Sequence, residues 1–63
     1  MTWELYEVWA EDDDGHEELI DTTKSLKEAR QLAKKALGDW ATSAAIHRET
    51  EDGDYEVVET LDR

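Results

Sequence analysis

A chain of 63 residues with 18 acidic and 7 basic side chains carries a net charge of −11 and has room for one small domain, residues 1–63. It has no cysteine, which excludes a disulfide scaffold, a Cys-based zinc site and a thiol nucleophile. No apolar run approaches the roughly 20 residues of a membrane span, and phosphate repels so acidic a surface, which disfavours nonspecific binding to duplex DNA.

In chain order, residues 2–10 are rich in aromatic and β-branched types and predict a strand. Asp14-Gly15 is a two-residue hairpin signal of the type I′ kind, and residues 17–22 predict the returning strand. Ser25, with Glu28 three residues on, fits a capping box and starts a helix over residues 26–37. Leu26, Ala29, Leu32, Ala33, Ala36 and Leu37 form one apolar stripe, and Lys27, Arg30, Lys34 and Lys35 lie outside it. Gly38 stands where a left-handed C-terminal cap is wanted. Residues 40–49 predict a third strand, Asp52-Gly53 a second hairpin turn, and residues 54–61 a fourth strand. Large patterned apolar residues, three Trp among them, argue for folding over disorder. The expectation is a two-layer α+β fold of ββαββ order, with one helix packed on one face of a four-stranded, mainly antiparallel sheet. A domain this small has no disulfide staple, and association is a natural supplement to its stability.

The two hairpins match at an offset of 38 positions. Glu11, Asp14, Gly15, Glu18 and Thr22 fall on Glu49, Asp52, Gly53, Glu56 and Thr60. Val8, Leu19 and Ile20 fall on Ile46, Val57 and Val58. Two readings are open: a degenerate duplication, and two unrelated hairpins with the same turn chemistry.

Side chains alternate along a strand, so the sheet faces can be sorted. With a two-residue first turn, Trp9 pairs with Ile20 and shares a face with Trp3 and Leu5. Tyr6, Val8, Ala10 and Leu19 take the other face. In the second hairpin Trp40, Ala44, Ile46, Tyr55, Val57 and Leu61 share a face, opposite Ala41, Ala45, His47 and Val58. The richer face of the second hairpin is expected under the helix, with Tyr6, Val8 and Leu19. Trp3, Leu5, Trp9 and Ile20 are then left on the open face, with Val58 and His47 near them. The reverse assignment buries the Trp set. Either way large apolar side chains stay uncovered, and such a patch marks an interaction site.

Chemical motifs are sparse. Placing Gly15 at the sixth position of a calcium loop puts Ala10, not an oxygen ligand, at the first, so the acidic run Glu11–Glu18 reads as a solvated hairpin tip. His16 and His47 lack zinc-ligand spacing. Ser25 is explained by capping, and the three glycines by two turns and a cap. No catalytic residue, cofactor or metal is expected. The chain has neither the basic region nor the apolar run of a signal peptide, and a cytoplasmic setting is expected.

Cations concentrate in residues 22–38, with acids on either side, so the molecule is dipolar. The acidity also suits adaptation to high salt or a simple solvated surface. The leading functional expectation is a small acidic, non-enzymatic protein-interaction module. It would associate with itself as a homodimer, or with a protein partner, through Trp3, Leu5, Trp9, Ile20 and Val58 on the open face. The alternative is an acidic inhibitor that imitates nucleic acid, or an antitoxin-like binder of a basic protein. It would use Asp12, Asp13, Asp14, Glu17, Glu49, Glu51, Asp52 and Asp54.

Overall fold

The computed structural model describes residues 3–63. Its elements are β1 (Glu4–Glu11), β2 (Glu17–Thr23), α1 (Leu26–Leu37), β3 (Ser43–Thr50) and β4 (Tyr55–Asp62). The strands form one sheet in the order β2-β1-β3-β4, antiparallel throughout, and α1 packs on one face. This is the expected two-layer α+β arrangement. Thr2, which begins the first predicted strand, lies outside the described residues. The third strand starts later than predicted, because residues 38–42 form the turn that brings the chain back from the helix.

Both hairpin turns hold one more residue than the Asp-Gly signal implies. Gly15 N–H donates to Asp12 O at 3.1 Å, and Asp12 N–H donates to His16 O at 3.0 Å. Gly53 N–H donates to Thr50 O, and Thr50 N–H to Asp54 O, both at 3.0 Å. Only the glycines have positive φ, +84° at Gly15 and +92° at Gly53. A type I′ turn would need positive φ at Asp14 and Asp52 as well, so each connection is a type I turn closed by a left-handed glycine. The residue opening each turn also accepts through its side chain. His16 N–H donates to Asp12 Oδ1 at 3.0 Å, and Asp54 N–H donates to Thr50 Oγ1 at 3.2 Å.

Each hairpin then carries a bulge at the same place. The β1–β2 register shifts between Val8 and Trp9, and the β3–β4 register between Ile46 and His47. The residues left without a partner are Ile20 and Val58 (Trp9 pairs Leu19 and Val8 pairs Asp21; His47 pairs Val57 and Ile46 pairs Glu59). Val8 and Ile46 face each other across β1–β3. The 38-position offset thus repeats in turn bonding, in bulge position and across a local two-fold axis through Val8 and Ile46.

The core is small. Val8, Ala10, Ala29, Ala33, Ala36, Ala41, Ala44 and Ile46 are buried, with Tyr6, Ile20, Leu26, Leu32, Leu37 and Leu61 packed around them. Alanines on both layers let α1 approach the sheet closely. Ser25 caps α1, its Oγ accepting from Glu28 N–H at 3.3 Å. The return arm of the expected capping box runs through Thr23 instead: Ser25 N–H donates to Thr23 Oγ1 at 3.2 Å, which donates to Glu28 Oε2 at 2.9 Å. Arg30 Nε ties the helix to β4 through Glu59 Oε2 at 3.0 Å. Among the described residues no helix is long and apolar enough to cross a membrane.

Gly38 is not a left-handed cap. Its φ is −81°, its N–H donates to Lys34 O at 3.0 Å, and an added Cβ would meet neighbouring carbonyls at 3.6 Å, an ordinary contact. Gly38→Ala should therefore stabilise the fold by about 0.4–1 kcal/mol, whereas Gly15→Ala and Gly53→Ala should each cost about 1–2 kcal/mol. Urea unfolding of the three variants checks this, and equal losses in all three would contradict it.

Candidate functional site

The two bulges decide which side chains α1 covers. Between each turn and its bulge, the extra turn residue displaces the returning strand by one position. The bulge then restores the register, and a one-residue slip moves side chains to the opposite face. Leu19 therefore joins Trp9 on the open face, and Ile20 turns to the helix side and packs against the core. This corrects Ile20 as an open-face residue and Leu19 as a core residue. In the second hairpin Val57 pairs with His47 and Tyr55 with Glu49, so both leave the helix face expected for them. Ala44, Ile46 and Leu61 remain under α1. Trp40, also expected in that set, lies outside the sheet and is exposed. Ala41, expected on the weaker face of a strand, is buried in the turn after α1. Val58 lies at the second bulge between Val57 on the open face and Glu59 on the helix side, so the register does not assign it to the open face.

The open face gathers Leu5, Glu7, Trp9 and Glu11 from β1, with Ser43, Ala45, His47 and Glu49 opposite them on β3. Leu19 of β2 and Tyr55 and Val57 of β4 extend it to both edges, and Trp3 continues the alternation of β1. Trp3, Leu19, Tyr55 and Val57 are 46%, 44%, 52% and 55% exposed. The largest fully buried side chains are only Val8 and Ile46. Large side chains thus stand outside, and alanines inside.

One cluster on this face is held in place. Glu7 Oε1 accepts from Trp9 Nε1–H at 3.1 Å and from Tyr55 O–H at 2.9 Å. His47 Nδ1 reaches the same Tyr55 hydroxyl. The tyrosine proton is engaged by Glu7, so Nδ1–H is the donor in that contact. His47 also stacks on Trp9, ring centroids 6.0 Å apart, and meets Tyr55 edge-on at 5.3 Å. The result is an indole fixed at its N–H and against one ring. Neither Glu7 nor Tyr55 stands out in the sequence as a site residue.

Past Trp9, toward the first turn, small side chains leave a shallow depression of about 220 Å³. Ser43, Ala45 and Thr60 make the room, Trp9 forms a wall, and Glu11, Glu17 and Asp62 also line it. The remaining acids fall elsewhere. Asp12, Asp13 and Asp14 sit at the first turn, with Glu17 at the start of β2. Glu51, Asp52 and Asp54 sit at the second, with Glu49 near the end of β3. Because β1 and β3 are antiparallel, these two groups lie at opposite ends of a molecule 39 Å long, not in one row. On the other side, Arg30 of the basic helix face is engaged by Glu59, and Arg48 by Glu4 and Glu56. Among the described residues no cluster of His, Asp and Glu has the geometry to hold a metal ion.

Desolvation of its hydroxyl, then the bond to Glu7 and the charges of Glu7 and Glu49, raise the Tyr55 pKa above its usual 10.0. Desolvation and Glu4 raise that of Tyr6. A raised pKa means the folded state favours the neutral phenol. Both contributions to stability are therefore complete below pH 10 and are lost as pH rises through the folded-state values. Glu7→Gln should bring the Tyr55 midpoint down toward 10.0 and leave Tyr6 in place, read by tyrosinate absorbance. Unchanged midpoints for both tyrosines would contradict the Glu7–Tyr55 contact.

Comparison with known proteins finds no matching family model, no similar curated protein and no matching solved structure.

Proposed function

We propose that this chain is a small, acidic, non-enzymatic protein-interaction module, acting in the cytoplasm through the open face of its sheet. One observation carries the reading: Trp3, Trp9, Leu19, Tyr55 and Val57 stand on the face that α1 leaves uncovered. Contiguous apolar surface of this kind is a docking surface. The titratable groups at the centre of the face, Glu7, Tyr55 and His47, are bonded to one another around Trp9, which suits a binding anchor better than a reaction centre. Imitation of nucleic acid draws less support, because the turn acids divide between two distant ends.

A second copy is the simplest occupant, and the net charge of −11 on each chain opposes it. Salt screens that repulsion and leaves the apolar attraction intact. Light scattering at high protein concentration should therefore give the mass of one chain in low salt and of two in high salt. The double variant Trp3→Ser, Val57→Ser should stay at one. A one-chain mass for the unmodified protein at every salt concentration would contradict an adhesive open face.

A further inference from the structure

The open face is small. Four strands about 4.8 Å apart and eight residues long at about 3.3 Å each span roughly 500 Å² in projection. Glu7, Ser43 and His47 occupy part of that area between the apolar side chains, so apolar contact alone holds an occupant weakly and the rim of the patch must contribute. That rim has one sign. Glu11, Glu17, Glu49 and Asp62 border the apolar residues, and no Lys or Arg occupies an open-face position on any strand. A second copy laid face to face would bring these carboxylates against their own kind. A partner with an apolar centre and a cationic border would meet both halves of the pattern.

The depression beside Trp9 sharpens the match. It has an aromatic wall, small side chains and three carboxylates around it. His47 occupies one side of the indole and Glu7 holds its N–H, so the wall is set before anything binds. An Arg or Lys side chain fits this chemistry: its methylene stem packs on the indole and its cationic head reaches the carboxylates. We propose that the open face docks a cationic amphipathic segment of a separate protein, with one Arg or Lys side chain seated beside Trp9 among Glu11, Glu17 and Asp62. The proposal rests on the open face being the docking surface and adds the chemistry of its occupant.

The probe is a synthetic Lys/Leu peptide with amphipathic helical spacing, alongside the same peptide with Glu in place of Lys. Binding is followed by titration calorimetry and by the amide and indole N–H resonances of the protein. The Lys peptide should bind one per chain, shift the Trp9 indole signal, and weaken roughly tenfold or more as salt rises from about 50 to about 500 mM. The Glu peptide should not bind. Glu11→Gln, Glu17→Gln, Asp62→Asn should weaken binding roughly tenfold. Glu51→Gln, Asp52→Asn, Asp54→Asn, which changes net charge by the same amount at the far turn, should leave it within about twofold. These substitutions lower self-repulsion and so spare the fold; Trp9→Phe gives an independent check, weakening the complex while the backbone amide resonances of α1 and its sheet contacts report an intact fold.

Equal losses from the two triple variants, or shifts confined to the turns, would overturn the proposal in favour of general charge attraction. No binding of the Lys peptide, with salt-dependent self-association intact, would overturn the occupant and leave the docking face standing. A protein mass that grows with concentration in low salt and is abolished by Lys27→Gln, Lys34→Gln, Lys35→Gln would give the face to the helix of a second copy, overturning a separate partner.

Discussion

The structure turns on Val8 and Ile46. They face each other at the centre of the sheet, both are fully buried under α1, and the register of each hairpin slips by one residue immediately after them. A bulge adds a residue to the edge strand and displaces everything beyond it. Here the displacement sends Ile20 inward, and leaves Leu19, Val57 and Tyr55 on the outside with Trp9. The inward turn of Ile20 and the outward positions of Leu19, Tyr55 and Val57 follow from the slipped register used twice, while the alternation of β1 and β3 itself puts Ala10 and Ala44 inside and Trp9 outside. Bulges on both edge strands also distort the edges against further strand pairing.

This inversion of size has an energetic meaning. Ala29, Ala33 and Ala36 of α1 are buried in one cluster with Ala10 and Ala44 of the sheet, but alanine burial removes little apolar area from water. Tyr6, Ile20, Leu26, Leu32, Leu37 and Leu61 add partial burial around that cluster, while Trp3, Leu19, Tyr55 and Val57, which would release more on burial, are left largely exposed. A fold that leaves so much unrealised burial on one surface gains from covering it. The same surface is bordered by carboxylates, and its central indole is braced by Glu7 and His47. In the proposed reading adhesion and selectivity lie in one place, the apolar middle providing attraction and the rim choosing the sign of the occupant.

The helix was legible in residue order to the last position, because Ser25, the stripe from Leu26 to Leu37 and the polar residues outside it all agree. The ββαββ order and the repeat were legible for similar reasons. The face assignment was not. It followed Asp-Gly as a two-residue turn, whereas Asp12 and Thr50, each three positions before a glycine, carry the signal of a type I turn with a side-chain acceptor at its first residue. The bulge itself leaves no mark in composition, since Leu19-Ile20 and Val57-Val58 are apolar doublets in which either residue could turn inward. Such doublets lose the alternation that would otherwise fix a face, and the ambiguity resolves only when α1 selects one member. Open-face Trp3, Leu5 and Trp9 alternate along the first strand, which carries no extra residue, and their side of the sheet was readable.

The most direct test of this account is the stability of Leu19→Ser against Ile20→Ser, measured by urea unfolding. The two residues are adjacent, apolar and equal in atom count, and the register gives them opposite faces. The account predicts that Ile20→Ser costs about 2 kcal/mol or more, while Leu19→Ser stays within about 1 kcal/mol of the unmodified chain. A larger loss for Leu19→Ser would place Leu19 in the core, remove the bulge, and with it the outward aromatic face on which the functional reading stands.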